Sequence, residues 1–260
     1  HERFRTQLAS EVSGAPPQAG ERRSSIADRF ALGAAREALV QAGLPSRLDE
    51  LACGIYFGSS TGGMFESESY FADLMGQPQR ASGIGRLTAQ QTCSPGEAVG
   101  RAHGVHGPVQ TVASACASAT LAMGNALAAL RAGEIDIALA GGSDSLCRLT
   151  YAGFNSLRAV DPGACRPFRA EREGMSIGEG AAVLVLETEA RARARGARIL
   201  GWLLGAGASC DAHHMTAPDP QGAGITRAVA AALADSGLQA SDIDFVNAHG
   251  TGTPHNDAAE

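Results

Sequence analysis

Apolar positions along this chain fall into two kinds of block, long segments of helical period and short continuous runs, and their alternation predicts the elements. The segment Ser25–Gly43 carries apolar residues at helical spacing. It opens on an S-x-x-D capping pattern, Ser25 to Asp28, and closes on Gly43, which can take the left-handed stop conformation. A buried strand is expected at Cys53–Phe57, running into the small-residue turn Gly58–Gly63. VQTVA, from Val109, is apolar and partly β-branched. It turns at Ser114–Cys116 into an Ala-rich helix, Ala117–Ala132, stopped by Gly133. Ile135–Ala140 reads as another buried strand ending in Gly141-Gly142. Ala181–Leu186 and Ile199–Leu204 read as strands separated by an Arg-rich helix at 188–196, followed by a helix at Gly222–Ser236 and a strand at Ile243–Asn247. Helices alternating with short apolar strands indicate an α/β architecture.

One internal echo refines this. AAREALVQAGL, a polar link, a strand and Ser60-Thr61-Gly62-Gly63 are repeated in order as AVAAALADSGL, a link, a strand and His249-Gly250-Thr251-Gly252-Thr253. Any two αβ units share some likeness; the sharper reading is a duplicated half-domain. At 260 residues the chain fits one large domain or two packed halves.

Composition narrows the chemistry. A net charge of -6 argues against nucleic-acid binding, which needs clustered positive charge. All 21 basic residues are Arg, so neither a Schiff-base lysine nor a Walker-type phosphate loop is available in this sequence. The six cysteines are scattered without a CxxC pair, against a zinc ribbon or redox dithiol. No apolar run reaches membrane-spanning length and HERFRTQLAS is unlike a signal peptide, so a soluble cytoplasmic protein is expected.

Two residues stand out. Cys116, in TVASACASAT, sits where a strand hands over to a helix, flanked by small residues that leave room for a carbonyl to approach. A thiol at a helix N-terminus feels the positive end of the macrodipole, which favours thiolate, and the turn offers N–H groups to an oxyanion. The plainer reading is a small buried residue at an Ala-rich helix start. His249 follows the strand IDFVNA in a sharp Gly/Thr turn, and strand ends are where α/β folds place catalytic groups. Its plainer reading is a surface-turn histidine. Asp211-Ala212-His213-His214 lacks metal-ligand spacing, and no metal is expected. His103 and His106 lie in a Gly-rich stretch and are expected to be solvated, and Gly58–Gly63 is only vaguely like an anion loop.

Taken together these segments resemble the β-ketoacyl-acyl-carrier-protein synthases of the elongating Cys-His-His type, in the thiolase superfamily. The likeness is ordered and spans nearly the whole chain. It runs through TVASACASAT, GEIDIALAGGSDS, ACRPFRAEREGMSIGEGAAVLVLE (Met175 standing where an aromatic is usual), GASCDAHHMTAPDPQG and VNAHGTGTPHNDAAE. The resemblance implies a thiolase-like α-β-α-β-α fold of five layers built from two duplicated halves. The half carrying the nucleophile would span 1–196, and the second half, from 197 to 260, would be incomplete.

It also implies roles. Cys116 matches the acyl-accepting nucleophile and His249 the histidine that aids decarboxylation of malonyl-carrier protein. Thr251 and Thr253 match threonines that bind the phosphopantetheine arm. Glu260 matches a glutamate that pairs with an active-site lysine, with Asp257 supporting the same acidic turn. Thr216, with Asp211 and His214, matches a segment near the pocket. The implied reaction is a decarboxylative Claisen condensation in fatty acid or polyketide elongation, with no cofactor beyond the phosphopantetheine of the acyl carrier protein. The implied partners are that carrier and a second subunit, identical or ketosynthase-like; nucleic acid and membrane are not expected. The family's lysine, second histidine and gating loop would lie beyond residue 260, so a fragment is expected, one forming no β-ketoacyl product by itself. Alternatives are a non-catalytic subunit like a chain-length factor, an acyl-CoA-dependent thiolase or starter-unit synthase, and a truncated carrier-binding or dimerisation module.

Overall fold

A computed structural model of the chain describes residues 4–14, 24–76 and 83–260; the first three residues of the opening HERFRTQLAS lie outside them. In chain order the elements are α1 (Ile26–Ala42), β1 (Cys53–Gly58), α2 (Met64–Gly76), α3 (Ser94–His103), β2 (Val109–Val112), α4 (Ser118–Arg131), β3 (Ile137–Asp144), α5 (Arg148–Ser156), β4 (Gly180–Glu187), α6 (Glu189–Ala194), α7 (Ala223–Ser236) and α8 (Pro254–Ala259). They form two compact units. One comprises Glu11–Cys147 with Glu179–Leu203, the other the chain up to Ser10 with Arg148–Gly178 and Leu204–Glu260.

The first unit is built on a sheet in the order β2-β1-β3-β4. β1 runs parallel to both β2 and β3, and β4 is antiparallel to β3. The two-residue period of a strand sorts its side chains. Ile55 and Phe57 of β1 join Ile137 and Leu139 of β3 in a cluster with Ala31, Ala35 and Leu39 of α1 and Val99 of α3. Tyr56, Ala138 and Ala140 join Ala122, Ala126, Ala129 and Leu130 of α4. β1 is buried along its whole length, which is why it reads as a continuous apolar run.

Small residues set how closely α4 approaches. A Cβ on Gly58 would lie 2.3 Å from the Ala119 nitrogen, and one on Gly142 would lie 3.1 Å from Ala119 Cβ. The first turn of α4 therefore rests directly on the ends of β1 and β3. α1 has the expected capping box, Ser25 with Asp28, and ends on Gly43 at φ 65°.

Three expectations need correction. The strand expected at Ile135–Ala140 begins at Ile137 and runs through both glycines to Asp144, because Gly141 and Gly142 pair with Phe57 and Gly58 on one side and Val183 and Ala182 on the other. Ile199–Leu204 and Ile243–Asn247 form no ladder among the described residues, and Trp202 and Phe245 are 61% and 81% exposed. β-type composition describes fit to a neighbour's pleated surface, and neither segment has such a neighbour there. His103 is not solvated: it is the last residue of α3, buried, with Nδ1 2.7 Å from the Ser46 carbonyl oxygen.

In the second unit, Tyr151 of α5 donates to the Thr6 carbonyl at 2.8 Å and meets Phe4 edge to face. Gly207 brings the stretch after Leu204 onto α7, where an added Cβ would lie 2.2 Å from the Ala228 carbonyl oxygen.

Candidate active site

Cys116 lies in a single 3-10 turn, Ala115–Ala117, that leads into α4. The turn begins on Ala115 at φ +46°, a left-handed conformation that costs an L-residue roughly 1–2 kcal/mol. A web of short bonds holds it. The Ser114 N–H donates to Ser118 Oγ at 2.8 Å, and that hydroxyl donates to the Ala115 carbonyl at 2.7 Å. The Cys116 thiol is exposed. The other cysteines contrast with it. Cys53 is buried in β1, and burial pushes its thiol up to about 11. Cys93 is raised by burial and by its neighbour Glu97.

His249 sits in a turn of the second unit made by two left-handed glycines, Gly250 at φ +53° and Gly252 at φ +78°. Two carboxylates from α8 and its end hold this turn by its backbone. Glu260 accepts from the His249 N–H at 2.7 Å, the Gly250 N–H at 2.8 Å and the Asn256 amide at 3.0 Å. Asp257 accepts from the Gly252 N–H at 3.0 Å and, across 89 residues of sequence, from the Phe168 N–H at 2.8 Å. The Asp257 side chain is 0% exposed, with the Arg172 guanidinium 3.6 Å away. Burial pulls its pKa upward. The Phe168 and Gly252 N–H groups, the Asn256 amide and the Arg172 charge outweigh burial, and the carboxyl is held below the usual aspartate range. Thr251 and Thr253 bring their hydroxyls within 2.9 Å of each other.

The structure thus gathers His249, Thr251 and Thr253 on one turn, which Glu260 and Asp257 hold by its backbone N–H groups. Cys116 belongs to the other unit. Thr216 is exposed on the loop before α7, where its N–H, with that of Ala217, donates to His214 Nδ1. Asp211 accepts from the Asp219 N–H at 2.9 Å.

Sequence reasoning missed two participants. Phe168 has φ +61° and its ring lies 3.2 Å from where a Gly250 Cβ would be, so it forms a wall of the His249 turn. Asp144 fills the loop after β1 that looked vaguely like an anion site: the anion is the protein's own carboxylate. The GSSTGG composition was the available signal; the partner was not.

Comparison with known proteins shows the family to which these segments belong. The profile of the β-ketoacyl synthase N-terminal domain matches residues 7–192, and that of its C-terminal domain matches 200–260. The chain belongs to the β-ketoacyl synthase family, and its fold is the thiolase-like α/β fold of the ketosynthases. Nodulation protein E of Rhizobium meliloti is 38% identical over 97% of this chain and 64% of its own. 3-oxoacyl-[acyl-carrier-protein] synthase 2 of Staphylococcus aureus (strain N315) is 37% identical over 92% of this chain and 59% of its own. Among solved structures, the ishigamide ketosynthase/chain length factor superposes with TM-score 0.86 at 36% identity, covering 92% of this chain and 60% of that one. A type II PKS acyl-carrier protein in complex with its ketosynthase (AntDE:AntF) gives 0.89 at 28%, covering 98% and 65%. The chain spans about three-fifths of the length of these relatives.

Proposed function

We propose that this protein is a catalytic β-ketoacyl-acyl-carrier-protein synthase subunit in which Cys116 accepts the acyl chain. The observation that carries this is the exposed thiol on the left-handed elbow at the start of α4. In the first half-reaction the Cys116 thiolate adds to the carbonyl carbon of an acyl thioester borne on the carrier's phosphopantetheine arm. The tetrahedral intermediate expels the arm's thiolate and leaves the acyl group on Cys116. In the second, malonyl-carrier protein loses carbon dioxide, and the electron pair of the broken C–C bond becomes an enolate. A His249 ring N–H stabilises the enolate oxygen. The enolate carbon adds to the Cys116 thioester, and Cys116 leaves as thiolate.

Thr251 and Thr253 are assigned to the phosphopantetheine arm, Glu260 to holding the His249 turn, and Thr216 to the pocket's edge. The nucleophile-bearing half runs to residue 196 and the second half starts at 197. The chemistry calls for no metal or nucleotide, since both acyl groups arrive as activated thioesters. The similar AntDE:AntF structure, a ketosynthase with its acyl carrier protein, supports a carrier partner, and the ishigamide ketosynthase/chain length factor supports a paired subunit. The reading places the protein in the cytoplasm; among the described residues no helix is long and apolar enough to cross a membrane.

A partner of the chain-length-factor kind is the rival reading, because one of the similar solved structures is a ketosynthase/chain length factor. Cys116 favours the catalytic one. The deciding experiment gives the intact enzyme acyl- and malonyl-carrier protein and follows carbon dioxide release and β-ketoacyl product. Cys116→Ala should abolish product. His249→Ala should slow decarboxylation by about 10²–10³, the loss typical of one oxyanion-type donor, while Cys116 still acylates. Product formation undiminished in Cys116→Ala, or equal loss of both half-reactions in His249→Ala, would reject these roles.

A further inference from the structure

The turn that carries Cys116 is braced from outside by a carboxylate that never reaches the thiol. Asp144 closes β3, two residues after Gly142, where an added Cβ would lie 3.1 Å from Ala119 Cβ of α4. Its carboxylate is filled by the loop after β1. It accepts from Ser59 Oγ at 3.0 Å, from the Ser60 N–H at 2.9 Å, from the Thr61 N–H at 2.8 Å and from Thr61 Oγ1 at 2.9 Å. Successive N–H groups converging in this way form an anion-binding concavity. Here it is occupied from within, so the loop has one fixed shape rather than an open site.

That shape aims the Ser60 hydroxyl elsewhere. Ser60 Oγ donates to the Ala115 carbonyl at 3.2 Å, and the same carbonyl accepts from Ser118 Oγ at 2.7 Å. The 115–116 peptide is therefore gripped from both sides, once from within α4 and once from the loop that Asp144 organises. The grip falls where it is needed. Ala115 at φ +46° is strained, and a strained residue persists only where its surroundings over-determine it. The orientation of this peptide fixes the Cα of Cys116 and the direction in which its sulfur leaves the backbone.

We propose that Asp144 is a positioning residue for Cys116, acting through the Ser60 hydroxyl on the Ala115 carbonyl. The inference rests on Cys116 being the acyl acceptor. It adds a dependence of acylation on two side chains that touch neither the sulfur nor the acyl group. Attack geometry is sensitive enough for this to register, since a misplacement of about 1 Å can cost on the order of 10²-fold in rate.

The test is the rate of acyl transfer from an acyl-carrier thioester to Cys116, followed by mass spectrometry of the purified full chain at several donor concentrations. Ser60→Ala removes one hydroxyl and leaves the backbone N–H on Asp144. It should lower the maximal acylation rate by roughly tenfold, the scale of one lost hydrogen bond, with the half-saturating donor concentration unchanged. Ser60→Thr keeps the hydroxyl and should recover most of the rate. Asp144→Asn, which turns an acceptor into a donor facing the Ser60 N–H, should lower the rate at least as far as Ser60→Ala. Alkylation of exposed Cys210 and the melting temperature serve as controls, and Ser60→Ala should move neither. If the parent acylates Cys116 and Ser60→Ala does so at the parental rate, the positioning role is wrong while the nucleophile assignment stands. Failure of Ser60→Thr to recover would equally overturn it. If the parent leaves Cys116 unacylated, the functional reading fails and this inference with it.

Discussion

A thiol reacts in proportion to how much of it is both ionised and reachable. Cys53 fails on both counts, being enclosed in β1 with its pKa pushed by burial to about 11. Cys116 and Cys210 are both exposed, but only Cys116 is held in a hydrogen-bonded turn flanked by small residues that leave a reagent room to approach. Limited alkylation at neutral pH with mass mapping should therefore modify Cys116 first, Cys210 more slowly and Cys53 last; preferential labelling of Cys210 would contradict the site. Asp257 is the second decisive side chain. Its folded-state pKa is depressed, so the stability it contributes is full above the ordinary aspartate value and is lost as pH falls through the folded value. Asp161, 1% exposed, behaves alike: burial raises its pKa, but the Gly163 N–H, Arg166 and the Glu173 N–H together lower it. Asp257→Ala should cost about 3 kcal/mol at pH 7 and proportionately less in acid, measured by denaturant unfolding. An equal loss at both pH values would contradict the assignment. At this scale the sequence was partly legible. The small-residue settings of Cys116 and His249 could be read from their neighbours in the chain. That of Asp144 could not, because its partner Ser60 lies 84 residues away.

Elements show the same division between local and long-range causes. α1 was readable end to end because its capping box and its glycine stop are made by the helix's own residues. β3 was misjudged at both ends because a strand's limits are set by its neighbours' hydrogen bonds, and Gly141 and Gly142 owe their place to β1 and β4. Glycine read as a terminator was in fact a spacer for α4. Gly58→Ala should accordingly push the first turn of α4 off the sheet, costing about 1–3 kcal/mol as overpacking does and slowing acylation of Cys116; a crystal structure with α4 unmoved would refute the packing argument. α1 also carries a pH signature. Burial raises the pKa of Asp28 and of Glu66, which accepts from the Ile26 N–H at 2.7 Å, and the two charges repel. A raised carboxyl favours the fold while protonated and loses that contribution as pH rises through its folded value. Glu66→Gln should then raise the melting temperature at pH 8, with the gain shrinking at pH 5. A larger gain at pH 5 would reverse the sign and the argument.

For the whole molecule, the α/β class and the family were evident from ordered motifs, and the profiles covering 7–192 and 200–260 establish membership. The two apolar segments expected as strands, Ile199–Leu204 and Ile243–Asn247, have strand composition without ladder partners among the described residues. Composition alone carries no record of whether a neighbour is there. The account turns on one claim, that Cys116 is where the acyl chain is held. It is tested most directly by incubating the protein with acyl-carrier protein alone, without malonyl donor, and locating the acyl group by peptide mass mapping. The account predicts one acyl group, on Cys116, as a hydroxylamine-labile thioester that is absent from Cys116→Ala. An unmodified Cys116, or an acyl group carried elsewhere and retained in Cys116→Ala, would contradict it.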